Sequence, residues 1–116
     1  MKNLPFINMK VSVPLTEEKR IAIKTALGQS ISLMGKGESF LMVGFEDNVP
    51  LYFGGEKQEK CAFVEIKVFG EVNPDQASEM TGKVCDTLGD ELGIPADKVY
   101  VTYQGYTDWG WNGRNF

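Results

Sequence analysis

The chain has 116 residues, which suits one domain over 1–116 with one core. Its composition is 42% hydrophobic and 24% charged, with net charge −4 and scattered Lys and Arg, which argues against a nucleic-acid or anionic-membrane surface. There is no histidine, so Ser-His-Asp and Cys-His mechanisms are excluded and the commonest metal ligand is missing; acid–base chemistry falls to carboxylates, Lys, Tyr, Cys or the chain terminus.

The first strand is expected over 5–13. Phe6, Ile7, Met9, Val11 and Val13 carry its apolar positions, and Pro5 stands at its head, where a missing N–H harms a ladder least. Thr16 then caps a helix with Glu17 and Glu18 in its first turn. Ile23, Ala26, Leu27, Ser30, Ile31 and Met34 recur at helical steps, and Gly35 stops the run. The second strand is expected over 39–45, followed by a turn at Asp47 and Asn48.

The third strand is expected over 61–69 (CAFVEIKVF). Asn73 caps a second helix with Pro74 at its first position. Met80, Val84, Cys85, Leu88 and Leu92 form its apolar stripe, Gly93 ends it, and the fourth strand is expected over 98–103. Cys61 and Cys85 form no CxxC pair and no metal spacing, and read as small buried hydrophobes of a reduced protein. The N-terminus has no long apolar core of a signal peptide, and no run approaches the ~20 residues of a membrane span, so a cytoplasmic protein is expected.

The two halves are similar. MKV at 9–11 matches IKV at 66–68, and GKGESFLMV at 35–43 lines up with GIPADKVYV at 93–101. This reads as a duplicated β-α-β unit. Two such units side by side give an α/β (α+β) domain, with a four-stranded mixed sheet and both helices on one face. Parity in the third strand puts Ala62, Val64, Ile66 and Val68 on one side. Cys61, Phe63, Glu65, Lys67 and Phe69 fall on the other, a face too apolar to stand bare. A small ring of subunits with sheets facing a central axis would cover it.

YFGG at 52–55, CAFVEIKVFG at 61–70, GIPADKVYV and the ending GWNGRNF together resemble the macrophage migration inhibitory factor (MIF) family of the tautomerase superfamily. The resemblance runs from Pro5 to Phe116. It implies a homotrimer with pockets between adjacent subunits, keto–enol tautomerisation of phenylpyruvate- or dopachrome-type substrates, no cofactor and no metal. It also implies a cytokine-like role with a protein receptor, reached by leaderless secretion. By position, Pro5 takes the place of the family's catalytic N-terminal proline, and Lys36 that of the lysine that holds the substrate carboxylate. Phe69 matches a pocket-lining backbone position, Tyr100 the aromatic contributed by the neighbouring subunit, and Trp109 and Phe116 apolar rim and pocket residues. Thr102 stands where the mammalian proteins have an asparagine, keeping a hydroxyl but losing the amide's paired donor and acceptor.

Each of these residues also has a plain structural reading. Pro5 can be strand-edge punctuation, Lys36 a helix-end cation, Tyr100 an interface aromatic, and Trp109 and Trp111 loop packing. Chemistry at Pro5 requires a free amine, whose pKa near 8 burial and a nearby cation would lower. Residues 1–4 stand in front of Pro5 and make its nitrogen a non-basic amide. Three readings stay open. The chain is trimmed to Pro5 and is an isomerase. The extension stays and the fold is a non-catalytic binding module. Or another group, the Met1 amine, Lys2 or Lys36, serves as base.

Overall fold

The computed structural model describes residues 4–116. Its main sheet has four strands: β1 (Pro5–Val11), β2 (Met42–Glu46), β5 (Ala62–Phe69) and β6 (Val99–Tyr106), in the order β2-β1-β5-β6. Helix α1 (Glu17–Ser30) connects β1 to β2, and α2 (Pro74–Leu92) connects β5 to β6. Each unit pairs its own strands in parallel, and the units meet through antiparallel β1 and β5. The expected mixed sheet built from a repeated β-α-β unit is what forms.

Both helices start on the expected caps. The Thr16 hydroxyl accepts from the Lys19 N–H, and the Asn73 side chain accepts from the N–H groups of Asp75 and Gln76. Both lie on one sheet face. Ile7, Met9, Val11, Val64, Ile66 and Val68 point up from the sheet, and Ile23, Leu27, Ile31, Met80, Val84 and Leu88 come down onto them. Side chains buried this fully contribute roughly 1.5–3 kcal/mol each before chain entropy is charged against them.

Several boundaries differ from the periodic pattern. The first strand ends at Val11, because the Ser12 hydroxyl turns to the carbonyls of Glu59 and Cys61. The first helix ends at Ser30, and Ile31–Met34 tighten into a 3₁₀ turn before left-handed Gly35. Strand 2 starts at Met42 rather than Ser39, because Glu38–Phe40 form another 3₁₀ turn closed by the Leu41 N–H on the Glu38 carbonyl. Cys61 precedes β5; it is buried, and its N–H donates to Ser12 Oγ. Cys85, placed on the second helix's apolar stripe, is half-buried. The last long strand runs on to Tyr106, since Gln104, Gly105 and Tyr106 find partners in Lys67, Val68 and Phe69.

Two small hairpins were not foreseen. Tyr52–Phe53 (β3) pairs with Glu56–Lys57 (β4), and Gly110–Trp111 (β7) with Arg114–Asn115 (β8). Their turns are Gly54-Gly55 and Asn112-Gly113, all four at positive φ. Gly-Gly and Asn-Gly between aromatic or polar flanks are hairpin signals legible in the sequence.

The second sheet face is less apolar than strand parity suggests. Across its middle, Asn8 donates to Glu46 at 2.8 Å, and Lys10 lies 3.5 Å from Glu46 and 3.8 Å from Glu65. Apolar groups gather at the two ends of this face: Phe6, Met42 and Tyr106 at one, Phe63 and Tyr100 at the other. Among the described residues no helix is long and apolar enough to cross a membrane.

The close approach at the end of β5 and β6 generates one expectation. A Cβ on Gly105 would overlap the Gly70 carbonyl, where Gly70 sits at φ 100. Gly105→Ala is expected to destabilise the fold by about 1–3 kcal/mol, read as a lower urea midpoint at unchanged m-value; an unshifted midpoint would mean the backbone yields freely there.

The polar band generates a second. The Glu46 carboxyl is held below its ordinary pKa of 4.5, first by the Asn8 amide and then by Lys10. A pKa lowered by folding stabilises above the unfolded value and loses that contribution as pH falls through the folded one. Glu46→Gln is therefore expected to be slightly less stable than the parent at neutral pH, with the Tm gap closing in acid. A gap constant with pH would assign the effect to the neutral hydrogen bond.

Candidate functional site

The C-terminal end of β5 gathers three of the residues singled out in the sequence. Antiparallel pairing sets Pro5 opposite Val68, one residue before Phe69. Gly35, at φ 70, turns the chain after the first helix so that Lys36 reaches across, and its Nζ donates to the Phe69 carbonyl at 3.2 Å. Lys36 is half-buried and bonded to a neutral acceptor, which leaves its charge available to an anion. A long-range contact thus holds it at the head of β1.

Phe116 borders the same corner. Its ring lies 5.6 Å from that of Phe69 and stacks on Trp111 at 6.3 Å. Trp111 in turn meets the edge of Phe40 at 5.2 Å. Phe40 and Trp111 extend this aromatic wall without having been singled out as site residues. The signal for Trp111 was the Asn-Gly turn that follows it, which makes a hairpin and carries the tryptophan back; for Phe40 there was none, since only the wall itself explains an exposed phenylalanine.

Trp109 lies round the corner. It lines an open groove of about 500 Å³ on the second sheet face, together with Phe6, Met42, Lys67, Tyr106, Asp108 and Gly110. Its ring meets that of Tyr106 at 6.0 Å, and its carbonyl accepts from the Phe116 N–H. The C-terminal hairpin therefore separates an aromatic wall beside Lys36 from a groove beside Phe6.

Tyr100 and Thr102 are not brought to this end. Tyr100 pairs with Phe63 and Thr102 with Glu65. Phe63 is five residues before Val68 on β5, about 17 Å away at the rise of an extended strand. Tyr100 is 58% exposed and packs against Phe53 and Phe63 at 5.5 and 6.3 Å. With Lys98 above the Phe53 ring it lines a small cavity of about 80 Å³. One chain thus carries Pro5, Lys36, Phe69, Phe116 and Trp109 at one end of the sheet and Tyr100 toward the other, with Thr102 opposite Glu65 in the middle.

The Pro5 nitrogen is bonded to Leu4, and both residues are buried, Leu4 to 4% exposure. An acylated proline nitrogen has neither basicity nor a proton. Met1 and Lys2, the other candidate bases, lie outside the described residues. Among the described residues no group of three or more His, Cys, Asp or Glu is placed to hold a metal ion. Two groups with displaced pKa values sit away from this corner. Burial pushes the Cys85 thiol up, with Asp86 adding to it. Burial also raises the Tyr103 phenol, against the hydrogen bond it shares with Thr81 at 2.7 Å.

The chain resembles known proteins over its whole described length. The sequence profile of the family described as macrophage migration inhibitory factor (MIF) matches residues 4–116. The crystal structure of Leishmania major MIF2 superposes with a TM-score of 0.92 at 36% identity, covering 98% of each chain. A macrophage migration inhibitory factor homologue from Prochlorococcus marinus superposes at 0.84 with 31% identity, over 96% of this chain and 98% of that one. The macrophage migration inhibitory factor homolog of Trichinella spiralis is 24% identical over 115 residues, 97% of this chain and 100% of its own. The repeated β-α-β sheet, the GKG lysine bonded across to Phe69 and these similarities lead to one conclusion: this chain belongs to the macrophage migration inhibitory factor family, in the tautomerase superfamily.

Proposed function

We propose that the corner formed by Pro5, Lys36 and Phe69 is a tautomerase-type site for aryl 2-oxo acids of the phenylpyruvate kind, silent while Leu4 is joined to Pro5. The observation that carries the reading is the pairing of two facts at one place. Lys36 is pinned beside the head of β1 by the Phe69 carbonyl, and the nitrogen at that head is an amide. Recognition of a carboxylate needs only the lysine. Catalysis needs the amine.

With the peptide bond before Pro5 absent, the secondary amine would stand next to a fixed cation and buried apolar walls, both of which lower an amine's pKa. Lys36 would seat the substrate carboxylate. The amine would take a proton from the carbon next to the carbonyl and return it, as the electrons shift between carbon and oxygen. Within one chain Tyr100 stands about 17 Å along the sheet from Pro5 and Thr102 about 10 Å, beyond the reach of a shared small substrate contact. They join the site only if a neighbouring copy presents its opposite sheet end, and exposed Tyr100, Tyr52 and Met42 favour such a symmetric homotrimer. Sedimentation at micromolar concentration is expected to report the trimer, and a monomer would remove Tyr100 and Thr102 from the site.

The test is deletion of residues 2–4, which places Met directly before Pro5; a Met before so small a residue is normally removed. Phenylpyruvate tautomerisation is expected to rise by roughly 10²–10⁴, the contribution of a positioned general base. A protein of the same fold, 13% identical with a TM-score of 0.82, has been crystallised after inactivation by 2-oxo-3-pentynoate. That compound is expected to label Pro5 in the shortened chain and leave it unlabelled in the full one, read by peptide mass. Equal, high activity in both forms would assign the chemistry to another base. A folded shortened chain without activity would favour the second reading, a non-catalytic, cytokine-like binding module, which the Pro5 amide already supports.

Lys36 gives an independent measurement. Lys36→Ala is expected to weaken phenylpyruvate binding by roughly 1.5–3 kcal/mol, the value of a hydrogen bond to a charged group. Unchanged affinity by calorimetry would return Lys36 to a helix-end cation.

A further inference from the structure

The C-terminal hairpin closes on the dipeptide Asn112-Gly113, with Asn112 at φ 56 and Gly113 at φ 87. A two-residue turn of this kind favours asparagine and glycine, because both central residues take a left-handed backbone. The same pair is chemically reactive. The nitrogen of a glycine can attack the side-chain amide of the asparagine before it, since no Cβ shields that nitrogen. Every residue from Trp111 to Phe116 is exposed, and a Cβ built on Gly113 would meet nothing within 4 Å. Among the described residues the Asn112 side chain makes no hydrogen bond, and the Gly113 N–H has no backbone acceptor. The hairpin is held by two residue pairs, Gly110 with Asn115 and Trp111 with Arg114, so local opening costs little there.

Asn48 provides an internal comparison. Its backbone is nearly the same, at φ 54, and it too is exposed. The residue after it is β-branched Val49, whose N–H donates to the Val11 carbonyl at 3.0 Å. The nitrogen that would attack is therefore crowded and tied to the end of β1. The other hairpin turn, Gly54-Gly55, carries no side-chain amide at all.

We propose that Asn112 is a site of spontaneous deamidation to an isoaspartyl link, and that this change releases Trp111 from the aromatic wall. The Gly113 nitrogen bonds to the Asn112 side-chain carbonyl carbon. The side-chain nitrogen leaves as ammonia, carrying the proton that Gly113 gives up, and a cyclic succinimide remains. Water then opens the ring. Opening at the side-chain carbonyl gives aspartate, and opening at the main-chain carbonyl gives isoaspartate. One water is consumed and one ammonia released, with no oxidation. Isoaspartate routes the main chain through the side-chain methylene, so the turn gains a backbone atom and Trp111 loses its register with Arg114. Trp111 stacks on Phe116 at 6.3 Å and meets the edge of Phe40 at 5.2 Å, and both contacts depend on that register. The chemistry needs neither Pro5 nor Lys36.

The experiment is incubation of the full chain at physiological temperature over a series of neutral to mildly alkaline pH values, followed by tryptic peptide mass with fragmentation. Peptide 99–114 is expected to gain the mass of an amide-to-acid conversion at Asn112 and to split into two chromatographic forms, aspartyl and isoaspartyl. Its conversion is expected to run at least about tenfold faster than that of peptide 37–57, which carries Asn48, and to speed up with pH because the attacking nitrogen must lose its proton. Intact isoaspartyl protein is expected to show stronger acrylamide quenching of tryptophan fluorescence. Asn112→Asp, which adds the charge without the backbone methylene, and Asn112→Gly, incubated alongside, are expected to be quenched like the fresh parent. Conversion no faster than at Asn48, or a rate flat with pH, overturns the site. An isoaspartyl form quenched like the parent overturns the release of Trp111. Equal quenching of Asn112→Asp and the isoaspartyl form overturns the lengthened turn as its cause.

Discussion

The antiparallel contact between β1 and β5 is the joint on which the molecule depends. Each β-α-β unit pairs its own two strands in parallel, but a two-stranded sheet with one helix cannot close a core. The central pair joins the units edge to edge, so both helices share one floor of Ile7, Met9, Val11, Val64, Ile66 and Val68. The same register sets Pro5 opposite Val68 and therefore next to the carbonyl that takes Lys36. A slip of one residue would turn the buried row outward and remove Pro5 from Lys36 in one step. Core and site are thus specified by a single alignment, and selection for a dry core also maintains the corner.

The sheet then distributes its chemistry by position along the strands. The middle of the open face is a polar band of Asn8, Lys10, Glu46 and Glu65, which tolerates water. The ends are apolar, one built around Phe6, Tyr106 and Trp109, the other around Phe53, Phe63 and Tyr100. Glycine makes the first end possible. Gly70 leaves β5 at a φ favourable to glycine, and Gly105 has no side chain to obstruct its carbonyl, so β6 stays paired as far as Tyr106 and the C-terminal hairpin can fold back onto Phe69.

A protein without histidine has few ways to make a base near neutral pH, and a secondary amine in a dry corner beside a cation is one of them. The peptide bond between Leu4 and Pro5 cancels that option while leaving the cation and the aromatic wall untouched. In the proposed site, binding and catalysis are therefore separable by one covalent bond.

Local rules determined much of this protein from its sequence. Helical spacing of Ile23, Leu27, Met80 and Leu88, caps at Thr16 and Asn73, and left-handed stops at Gly35 and Gly93 are short-range consequences of backbone geometry, so the elements and their repeat were legible. The resemblance of GKG and GWNGRNF to a known family pointed to Lys36 and Phe116. The Asn-Gly and Gly-Gly turns carried hairpins that the longer apolar periodicities overshadowed. What only the tertiary structure decided concerns partners distant in the chain. Alternation says that Lys67 and Glu65 share a face; it cannot say that Glu65 finds Lys10 while Lys67 forms no ion pair among the described residues, because that depends on which strand lies alongside and in which register. Nor can it place Trp109 in a groove and Trp111 on a wall, since two residues of separation become two different surfaces once the hairpin turns. Sequence carries the local geometry of each element, and the long-range pairing that closes the sheet assigns each side chain its neighbours.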